Sequence, residues 1–234
     1  HVIAADIVQG ITLTGSERAG ASVGALAGKY LKKSVLELGG SDPVLVLDDA
    51  DVEMAAQVSV ASRLFNAGQT CISAKRFFVT EKNYEAYTEA FLRHFKSYKQ
   101  GDPFDPSNKI GPLCREDIAT NLYQQYEKSL TEGAILAYGG ELNGCNFMPT
   151  FLSNVTPEMI LGKEETFGPL AAIFKVKNDE EMIFHANNSP YGLGASVWST
   201  DHDHAKRVAL AVEVGSVYVN ALVKSDPYLP FGGI

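Results

Sequence analysis

The sequence lacks the features that mark several classes of protein. Its 234 residues include three cysteines, Cys71, Cys114 and Cys145, and no CxxC pair. An odd number of cysteines without paired spacing does not suit a secreted disulfide framework, and it fits a reducing compartment. No apolar stretch approaches the roughly 20 residues that are needed to span a bilayer. We therefore predict a cytoplasmic protein with no membrane partner.

Positive charge and common ligand motifs are also scarce. Twenty basic against 28 acidic residues give a net charge of -8, without a basic run that could follow a phosphate backbone. HExxH, zinc-type cysteine spacings, a P-loop and GxGxxG are all missing. The alternating residues 201–204, Asp-His-Asp-His, open a predicted helix, where acidic side chains suit the helix dipole. We expect no nucleic-acid partner and no metal site.

Both ends of the chain lack what a complete protein would carry. His1 is not a starting methionine, no basic signal region follows it, and the chain stops at Ile234 directly after a pair of glycines. We expect a fragment of a longer protein.

What is present is an alternation of strand-like and helix-like segments. A short β-rich run at 11–13, an N-cap at Ser16, a helix and a strand at 35–38 predict a βαβ unit. Further strands are predicted at 43–47, 76–79, 134–138, 170–176, 195–198 and 216–219, and further helices at 49–68, 84–96, 116–132, 179–188 and 201–214. This order predicts an α/β fold with a mostly parallel open sheet flanked by helices.

Several local expectations accompany this fold. The aromatic stripe Tyr84, Tyr87, Phe91 and Phe95 is predicted to be core, as is the apolar stripe of helix 116–132. Gly215 is expected to close the last helix. The segment 39–43, Gly-Gly-Ser-Asp-Pro, is the predicted hinge, so we place a domain boundary near residue 40.

Glycines mark one face of the first helix. Gly20, Gly24 and Gly28 recur at every fourth residue, and each costs about 1 kcal/mol of helix propensity relative to alanine. Packing of the helix on a sheet and contact with a ligand both explain this pattern. Gly15 and Ser16 open the helix, where backbone N–H groups can bind an anion such as phosphate.

Two residues 34 positions apart carry potential chemistry. Cys71 follows Gly-Gln-Thr in a loop between a helix and a strand, where backbone N–H groups can point at an oxyanion. Glu37 ends a strand, and α/β enzymes place ligands at the carboxyl ends of strands. A carboxylate can manage protons for a thiol nucleophile, although many cysteines are buried and inert and many strand-end glutamates are solvated.

Six motifs together resemble a known family. They are Thr14-Gly15-Ser16, Glu37-Leu38-Gly39-Gly40, Gly68-Gln69-Thr70-Cys71, Glu164-Glu165-Thr166-Phe167-Gly168-Pro169, Val219-Asn220 and Pro230-Phe231-Gly232-Gly233. Their order and spacing are similar to those of the NAD(P)-dependent aldehyde dehydrogenase superfamily. The resemblance implies that residues 1–40 are the C-terminal remnant of a dinucleotide-binding domain. Residues 41–234 would be a catalytic domain that is truncated before an oligomerisation strand, and the parent enzyme would be a homo-oligomer.

The resemblance also implies roles for individual residues. Cys71 would attack the aldehyde to give a thiohemiacetal and then a thioester, and Glu37 would activate the water that hydrolyses the thioester. The cofactor, NAD or NADP, would contact Gly15, Ser16, Leu38, Glu165 and Phe167. Phe231 would form a wall of the substrate pocket, and Asn220 would fix the loop before it. An oxyanion-hole asparagine would lie upstream of His1, so the fragment alone would be nearly inactive.

Substrate and alternative functions are less specific. In the succinate-semialdehyde branch of the family, an arginine stands six residues before the nucleophile and binds the distal carboxylate, whereas this sequence has Phe65 there. Arg63 is two residues away along a helix and points to a different side. Residues 36–43 and 74–77 nevertheless resemble that branch, so succinate semialdehyde is the leading substrate, with other aliphatic aldehydes next. A cofactor-independent cysteine hydrolase or acyl-transferase would need a histidine partner, and a non-catalytic module is the third alternative.

Overall fold

The structure is a computed structural model that describes residues 2–234. It divides into two compact units, one that ends at Gly40 and one that spans Ser41–Ile234. His1, the first residue of the predicted dinucleotide-binding remnant, lies outside the described residues. None of the helices in residues 2–234 is long and apolar enough to cross a membrane.

The first unit is a βαβ motif, as predicted. It consists of strand β1 (Gly10–Thr14), helix α1 (Glu17–Lys29) and strand β2 (Lys33–Glu37), and the two strands pair in parallel. The helix starts where predicted because the Ser16 side chain accepts a hydrogen bond from the Ala19 N–H at 3.3 Å.

The glycine face of α1 has a packing explanation at two of its three positions. A Cβ added to Gly20 would lie 2.5 Å from the Leu38 methyl groups, and one added to Gly24 would lie 3.4 Å from Leu36. A Cβ on Gly28 would meet nothing within 4 Å. Close approach to the strand therefore accounts for Gly20 and Gly24, and nothing in the structure explains Gly28.

The second unit is built on a seven-stranded sheet. The strands of this unit, in chain order, are β3 (Asp42–Val46), β4 (Ala74–Thr80), β5 (Ile135–Tyr138), β6 (Leu142–Asn143), β7 (Asn146–Phe147), β8 (Thr150–Ser153), β9 (Leu170–Val176), β10 (Gly194–Trp198) and β11 (Ser216–Val219). The sheet order is β11-β10-β3-β4-β9-β8-β5. All neighbours pair in parallel except β5 and β8, and β6 with β7 forms a separate antiparallel pair.

Helices connect these strands. They are α2 (Val52–Leu64), α3 (Glu81–Lys96), α4 (Glu116–Thr131), α5 (Ile160–Lys163), α6 (Asp179–Asn187) and α7 (His202–Ala211). The mostly parallel sheet with helical connections confirms the predicted fold class.

The core lies around the central strands of the sheet. Every residue of β3, β4 and β10 is buried, which is why these strands are dominated by apolar residues instead of alternating with polar ones. The aromatic stripe of α3 packs on this layer, where the Phe91 ring lies 5.1 Å from Phe77 and 5.6 Å from Phe151. Tyr87, Phe91 and Phe95 are fully buried, which confirms that they are core, whereas Tyr84 is only partly buried against the same core.

Three local predictions were wrong or incomplete. Helix α7 ends at Ala211, so Gly215 does not close it. A Cβ on Gly215 would instead lie 1.7 Å from the carbonyl oxygen of Gly232, so this glycine is needed for a close approach of two backbone segments. The hinge predicted at 39–43 is too long, because Asp42 already belongs to the buried strand β3. Strand β8 and the β6–β7 pair had not been predicted.

Candidate active site

The predicted nucleophile lies in a short strained connection between α2 and β4. A 3₁₀ turn, Phe65–Gly68, follows α2, and Asn66, Ala67 and Gly68 all have positive φ values, of 51°, 55° and 75°. The Asn66 and Gln69 side chains each donate a hydrogen bond to the other's carbonyl oxygen at 3.2 Å. These bonds hold the backbone in a conformation that non-glycine residues rarely adopt, and they fix where Cys71 emerges.

Gly68 joins this turn to the segment that carries Glu165 and Phe167. A Cβ on Gly68 would lie 2.4 Å from the carbonyl oxygen of Gly168 and 2.6 Å from the Nη2 atom of Arg63. Only glycine fits here without a shift, because both the backbone angle and the space exclude a side chain. The two predicted motifs are therefore in backbone contact.

Arg63 stabilises this contact between the turn and the segment of Glu165 and Phe167 by hydrogen bonds to both. Its Nη2 donates to the carbonyl oxygens of Gly68 at 2.9 Å and Thr166 at 3.1 Å. The residue is fully buried, and burial lowers its pKa to about 9, with the charge of Glu165 acting in the opposite direction. Arg63 is thus buried whereas Phe65 is 69% exposed, so the two side chains lie on different sides, as predicted. The expected reason was wrong, because α2 ends at Leu64 and Phe65 begins the 3₁₀ turn.

Lys75 is the second buried cation of the site, and sequence reasoning gave it no role. Its Nζ donates to the carbonyl oxygens of Thr70 at 2.9 Å, Cys71 at 2.9 Å and Ser73 at 3.1 Å. The same Nζ lies 3.3 Å from Oε1 of Glu165. Burial lowers the pKa of Lys75 to about 8, and the Arg63 charge lowers it further, whereas the Glu165 and Asp42 carboxylates raise it. Lys75 therefore connects the nucleophile loop to a predicted cofactor-binding residue.

Asp42 supplies a carboxylate beneath this loop. One of its oxygens accepts a hydrogen bond from the Gly194 N–H at 3.1 Å, and the other has no hydrogen-bond partner in the part of the chain that the structure describes. Burial raises the pKa of Asp42 to about 7, against the opposing charges of Lys75 and Arg76. The charge on this group thus changes near neutral pH.

The Cys71 thiol is half-buried among these charges. Burial raises its pKa above the ordinary value of a thiol, whereas the Ile72 N–H and the Lys75 charge lower it. Asp42 and Glu165 add to the increase. The resting thiol is therefore protonated near neutral pH, and its ionisation depends on which of these charges is present.

A cavity of about 430 Å³ lies beside the nucleophile. Three short segments line it, namely the end of α2, the nucleophile loop on either side of Cys71, and residues 222–225. Phe65 lies in the lining, and Lys224 is its one charged residue within the described part of the chain. Phe231, which was predicted to form a wall of the substrate pocket, is 41% exposed and is not among the described residues that line this cavity.

The predicted cofactor residues of the second unit lie at a different opening. Phe167 lines a cavity of about 340 Å³ together with residues of α4, including Gln125. The Gln125 amide donates to the carbonyl oxygen of Glu165 at 3.1 Å and to Glu164 at 3.2 Å, which holds this segment against the helix. The Glu165 side chain is 18% exposed, so its carboxylate is accessible to a ligand as well as to Lys75.

The remaining predicted cofactor and base residues belong to the first unit. Glu37 is the last residue of β2, and its carbonyl oxygen accepts a hydrogen bond from the Gly15 N–H at 3.0 Å. Ser16 caps α1, and Leu38 packs against Gly20. Within this unit Gly15, Ser16 and Glu37 thus lie at the same end of the parallel pair, where β1 and β2 finish.

Other polar motifs have structural partners. Asp201 caps α7 by accepting from the N–H groups of Asp203 and His204, and the His204 ring bonds to Asp179. Asn220 exchanges two hydrogen bonds with the backbone of Ser199, which anchors the chain after β11. Among residues 2–234 there is no group of three or more side chains that could hold a metal ion.

The known proteins that are similar to this chain are enzymes. The model of the aldehyde dehydrogenase family matches residues 1–234. The chain is 45% identical over 237 residues to succinate-semialdehyde dehydrogenase (NADP(+)) of Deinococcus radiodurans, covering 100% of the chain and 50% of that relative. It is 46% identical over 230 residues to succinate semialdehyde dehydrogenase (NAD(P)+) Sad of Escherichia coli, covering 97% of the chain and 50% of that relative.

A solved structure is similar over the same extent. The crystal structure of succinic semialdehyde dehydrogenase from Streptococcus pyogenes, in complex with NADP+ as the cofactor, has a TM-score of 0.95 and 45% sequence identity. The match covers 100% of the chain and 52% of that structure. The chain thus spans about half the length of the curated relatives it matches.

Proposed function

Because the chain belongs to the aldehyde dehydrogenase family, we propose that the protein containing it oxidises an aldehyde to the carboxylic acid with NAD or NADP. The observation that carries this proposal is the Cys71 loop, which borders a cavity of about 430 Å³ and is connected through Lys75 to Glu165. A nucleophile, a space for a small carbonyl compound and a carboxylate suited to ribose hydroxyls are thus contributed by one unit.

The residues present fit a nicotinamide dinucleotide. Glu165 presents a partly exposed carboxylate, and Phe167 borders a cavity where a planar ring could pack. Gly15 and Ser16 open a helix of 13 residues whose N-terminus favours a pyrophosphate. We assign Glu165 to the ribose, Phe167 and Leu38 to the nicotinamide and Gly15 with Ser16 to the pyrophosphate. When bound, the dinucleotide would accept the hydride from the substrate carbon.

The protein's own residues would then act in sequence. Cys71 adds to the aldehyde carbon as a thiolate, and its backbone N–H donates to the oxyanion of the thiohemiacetal. Loss of hydride converts this adduct into a thioester on Cys71. Glu37 takes a proton from water, and the hydroxide attacks the thioester carbon, so that the C–S bond breaks and the acid leaves. The proton on Glu37 then returns to the sulfur and restores the thiol.

We also propose a domain assignment that fits these roles. Residues 1–40 belong to a dinucleotide-binding domain and residues 41–234 to a catalytic domain.

We propose succinate semialdehyde as the substrate. The relatives in Deinococcus radiodurans and Escherichia coli carry that substrate in their names. Phe65 supplies no charge to the cavity, but Lys224 lies in its lining and can pair with a distal carboxylate. Other aliphatic aldehydes are the second candidates, since the rest of the lining is mostly apolar.

The test uses the full-length protein that contains this chain. Reduction of NAD and NADP is followed at 340 nm with succinate semialdehyde, butanal and pentanal, for the wild type and for Cys71→Ala and Glu37→Gln. We expect Cys71→Ala to abolish activity and Glu37→Gln to leave a burst of reduced dinucleotide followed by slow turnover. Activity without Cys71 would overturn the mechanism, and normal steady-state turnover without Glu37 would overturn the assignment of the base.

The same measurement separates the alternatives. A cofactor-independent cysteine hydrolase would consume a thioester without any dinucleotide and would reduce none with aldehydes. A non-catalytic module would do neither in the full-length protein. The structure offers no observation that favours either of these functions.

A further inference from the structure

We propose that Lys75 is a positioning residue that holds the Cys71 loop in its reactive geometry and favours ionisation of the thiol. This inference rests on the proposed function, because it takes Cys71 as the nucleophile. It goes further by assigning a role to a buried lysine that does not line the cavity beside the nucleophile.

The Lys75 ammonium group has acceptors for all of its N–H donors. Three carbonyl oxygens of the loop, from Thr70, Cys71 and Ser73, lie 2.9 to 3.1 Å from Nζ. The Glu165 carboxylate is the fourth acceptor, at 3.3 Å. An ammonium group has three N–H donors, so these four acceptors use its full capacity. The loop is therefore held through its main chain by a single cation.

The position of Lys75 makes this role specific. It is the second residue of β4, and only 3% of its surface is exposed. A buried ammonium loses its hydration, so a neutral residue would be less costly if packing were all that the site required. The partners that compensate for this loss are the loop carbonyls and Glu165, and they are the groups next to the proposed chemistry.

Four other charged groups surround the lysine and the thiol. Glu165 and Asp42 are carboxylates that raise the pKa of Cys71, and Lys75 lowers it. Arg63 lies on the side of α2 and contacts the same loop through Gly68, and Arg76 acts on Asp42 from β4. Without Lys75, the thiol would face two carboxylates with no cation of its own loop between them. The ionisation of Cys71 should then require a higher pH.

The experiment measures this directly in the full-length protein. The rate of Cys71 alkylation by iodoacetamide is followed from pH 6 to pH 10, with peptide mapping to confirm the site. Lys75→Met, which keeps the length without the charge, should make the thiol harder to ionise below about pH 8, where the ammonium group of the wild type is charged. Alkylation at pH 7.5 should then be about tenfold slower, since only the thiolate reacts. Lys206→Met, an exposed lysine on α7, serves as the matched control and should change nothing.

Two further variants separate charge from position. Lys75→Arg keeps the charge, so alkylation at pH 7.5 should stay within about threefold of the wild-type rate. Its planar group cannot reproduce the contacts of an ammonium with three carbonyls, so we expect kcat to remain at least tenfold low while KM for the aldehyde changes less than threefold. Asp42→Asn removes a carboxylate and should shift the pH midpoint of alkylation downward.

These outcomes decide the proposal even if one variant folds poorly. An unchanged alkylation rate at pH 7.5 in Lys75→Met, or an upward shift of the midpoint in Asp42→Asn, would overturn it. If Lys75→Met is insoluble, Lys75→Arg decides it, because wild-type kcat or slowed alkylation at pH 7.5 in that variant would overturn the proposal. Failure of the proposed function would look different, because the wild type would then reduce no dinucleotide, or Cys71→Ala would retain activity.

Discussion

The turn before the nucleophile yields a prediction whose size can be worked out from its contacts. We consider Gly68→Ala, which adds one methyl group at a backbone φ of 75°. The left-handed conformation alone costs alanine about 1–2 kcal/mol. The methyl group would also lie 2.4 Å from the Gly168 carbonyl oxygen, which already accepts a hydrogen bond from Leu170 at 2.8 Å and cannot easily move.

The second contribution comes from Arg63. Its Nη2 would be 2.6 Å from the new methyl group, so the bond to the Gly68 carbonyl oxygen must break or lengthen. A hydrogen bond to a charged group contributes about 1.5–3 kcal/mol, and the two effects together give about 2.5–5 kcal/mol. Because 1.4 kcal/mol corresponds to a factor of ten, opening of this loop should be at least about 60-fold more frequent.

Hydrogen exchange with mass spectrometry measures this in the full-length protein. The peptide that covers residues 65–75 should exchange at least about 60-fold faster in Gly68→Ala, under conditions in which exchange follows the opening equilibrium. Gly144→Ala is the matched control, since its φ is 58° and an added Cβ would meet nothing within 4 Å. It should show only the backbone cost of about 1–2 kcal/mol at its own peptide. Equal effects in the two variants would refute the assignment of close contact at Gly68.

Three further predictions concern selectivity, pH and the core. Lys224→Met should lower kcat/KM for succinate semialdehyde about three- to fivefold and leave butanal within twofold, whereas equal losses would contradict a carboxylate contact. Burial acts to raise the pKa of Asp49, but hydrogen bonds from Asp201, Thr200 and Ser199 outweigh it and lower the pKa to about 2. The charged Asp49 therefore stabilises the fold at pH values above 3.8, its pKa in the unfolded chain, and this stabilisation is lost as the pH falls towards 2. Asp49→Asn should therefore lower the unfolding temperature at pH 7 and pH 5, and the difference from the wild type should be smaller at pH 3. A difference that is the same at all three pH values would contradict this prediction. Phe91→Ala should cost about 3–5 kcal/mol in urea unfolding, and a loss below 1 kcal/mol would contradict its central packing.

The parts of the fold that could be predicted from the sequence are those with long apolar patterns. The aromatic stripe of α3 spans three turns, and β9 begins with five consecutive apolar residues, so both were located within a few residues. Strand β8 has four residues and pairs with two different neighbours, which no local pattern reveals. Gly215 was misread because its partner, Gly232, approaches from a distant segment.

The candidate site divides in the same way. Cys71, Glu37, Glu165 and Phe167 were chosen because each belongs to a short motif, and their roles stay predictions. The charges that support them were missed because their partners are backbone atoms or residues far along the chain. Asp42, for example, accepts a hydrogen bond from Gly194, 152 residues away. Only the topology of the sheet brings such pairs together.

The attachment of the nucleophile loop has a consequence for altering the proposed substrate range. Lys75 holds the loop by main-chain oxygens, so the side chains of Thr70 and Ile72 take no part in that attachment, although both line the cavity. Ser73 differs, because its hydroxyl bonds to the carbonyl oxygen of Ser62 at 2.9 Å. A mutant library for bulkier aldehydes can therefore vary residues 65, 70 and 72 together while the scaffold that carries Cys71 keeps its bonds.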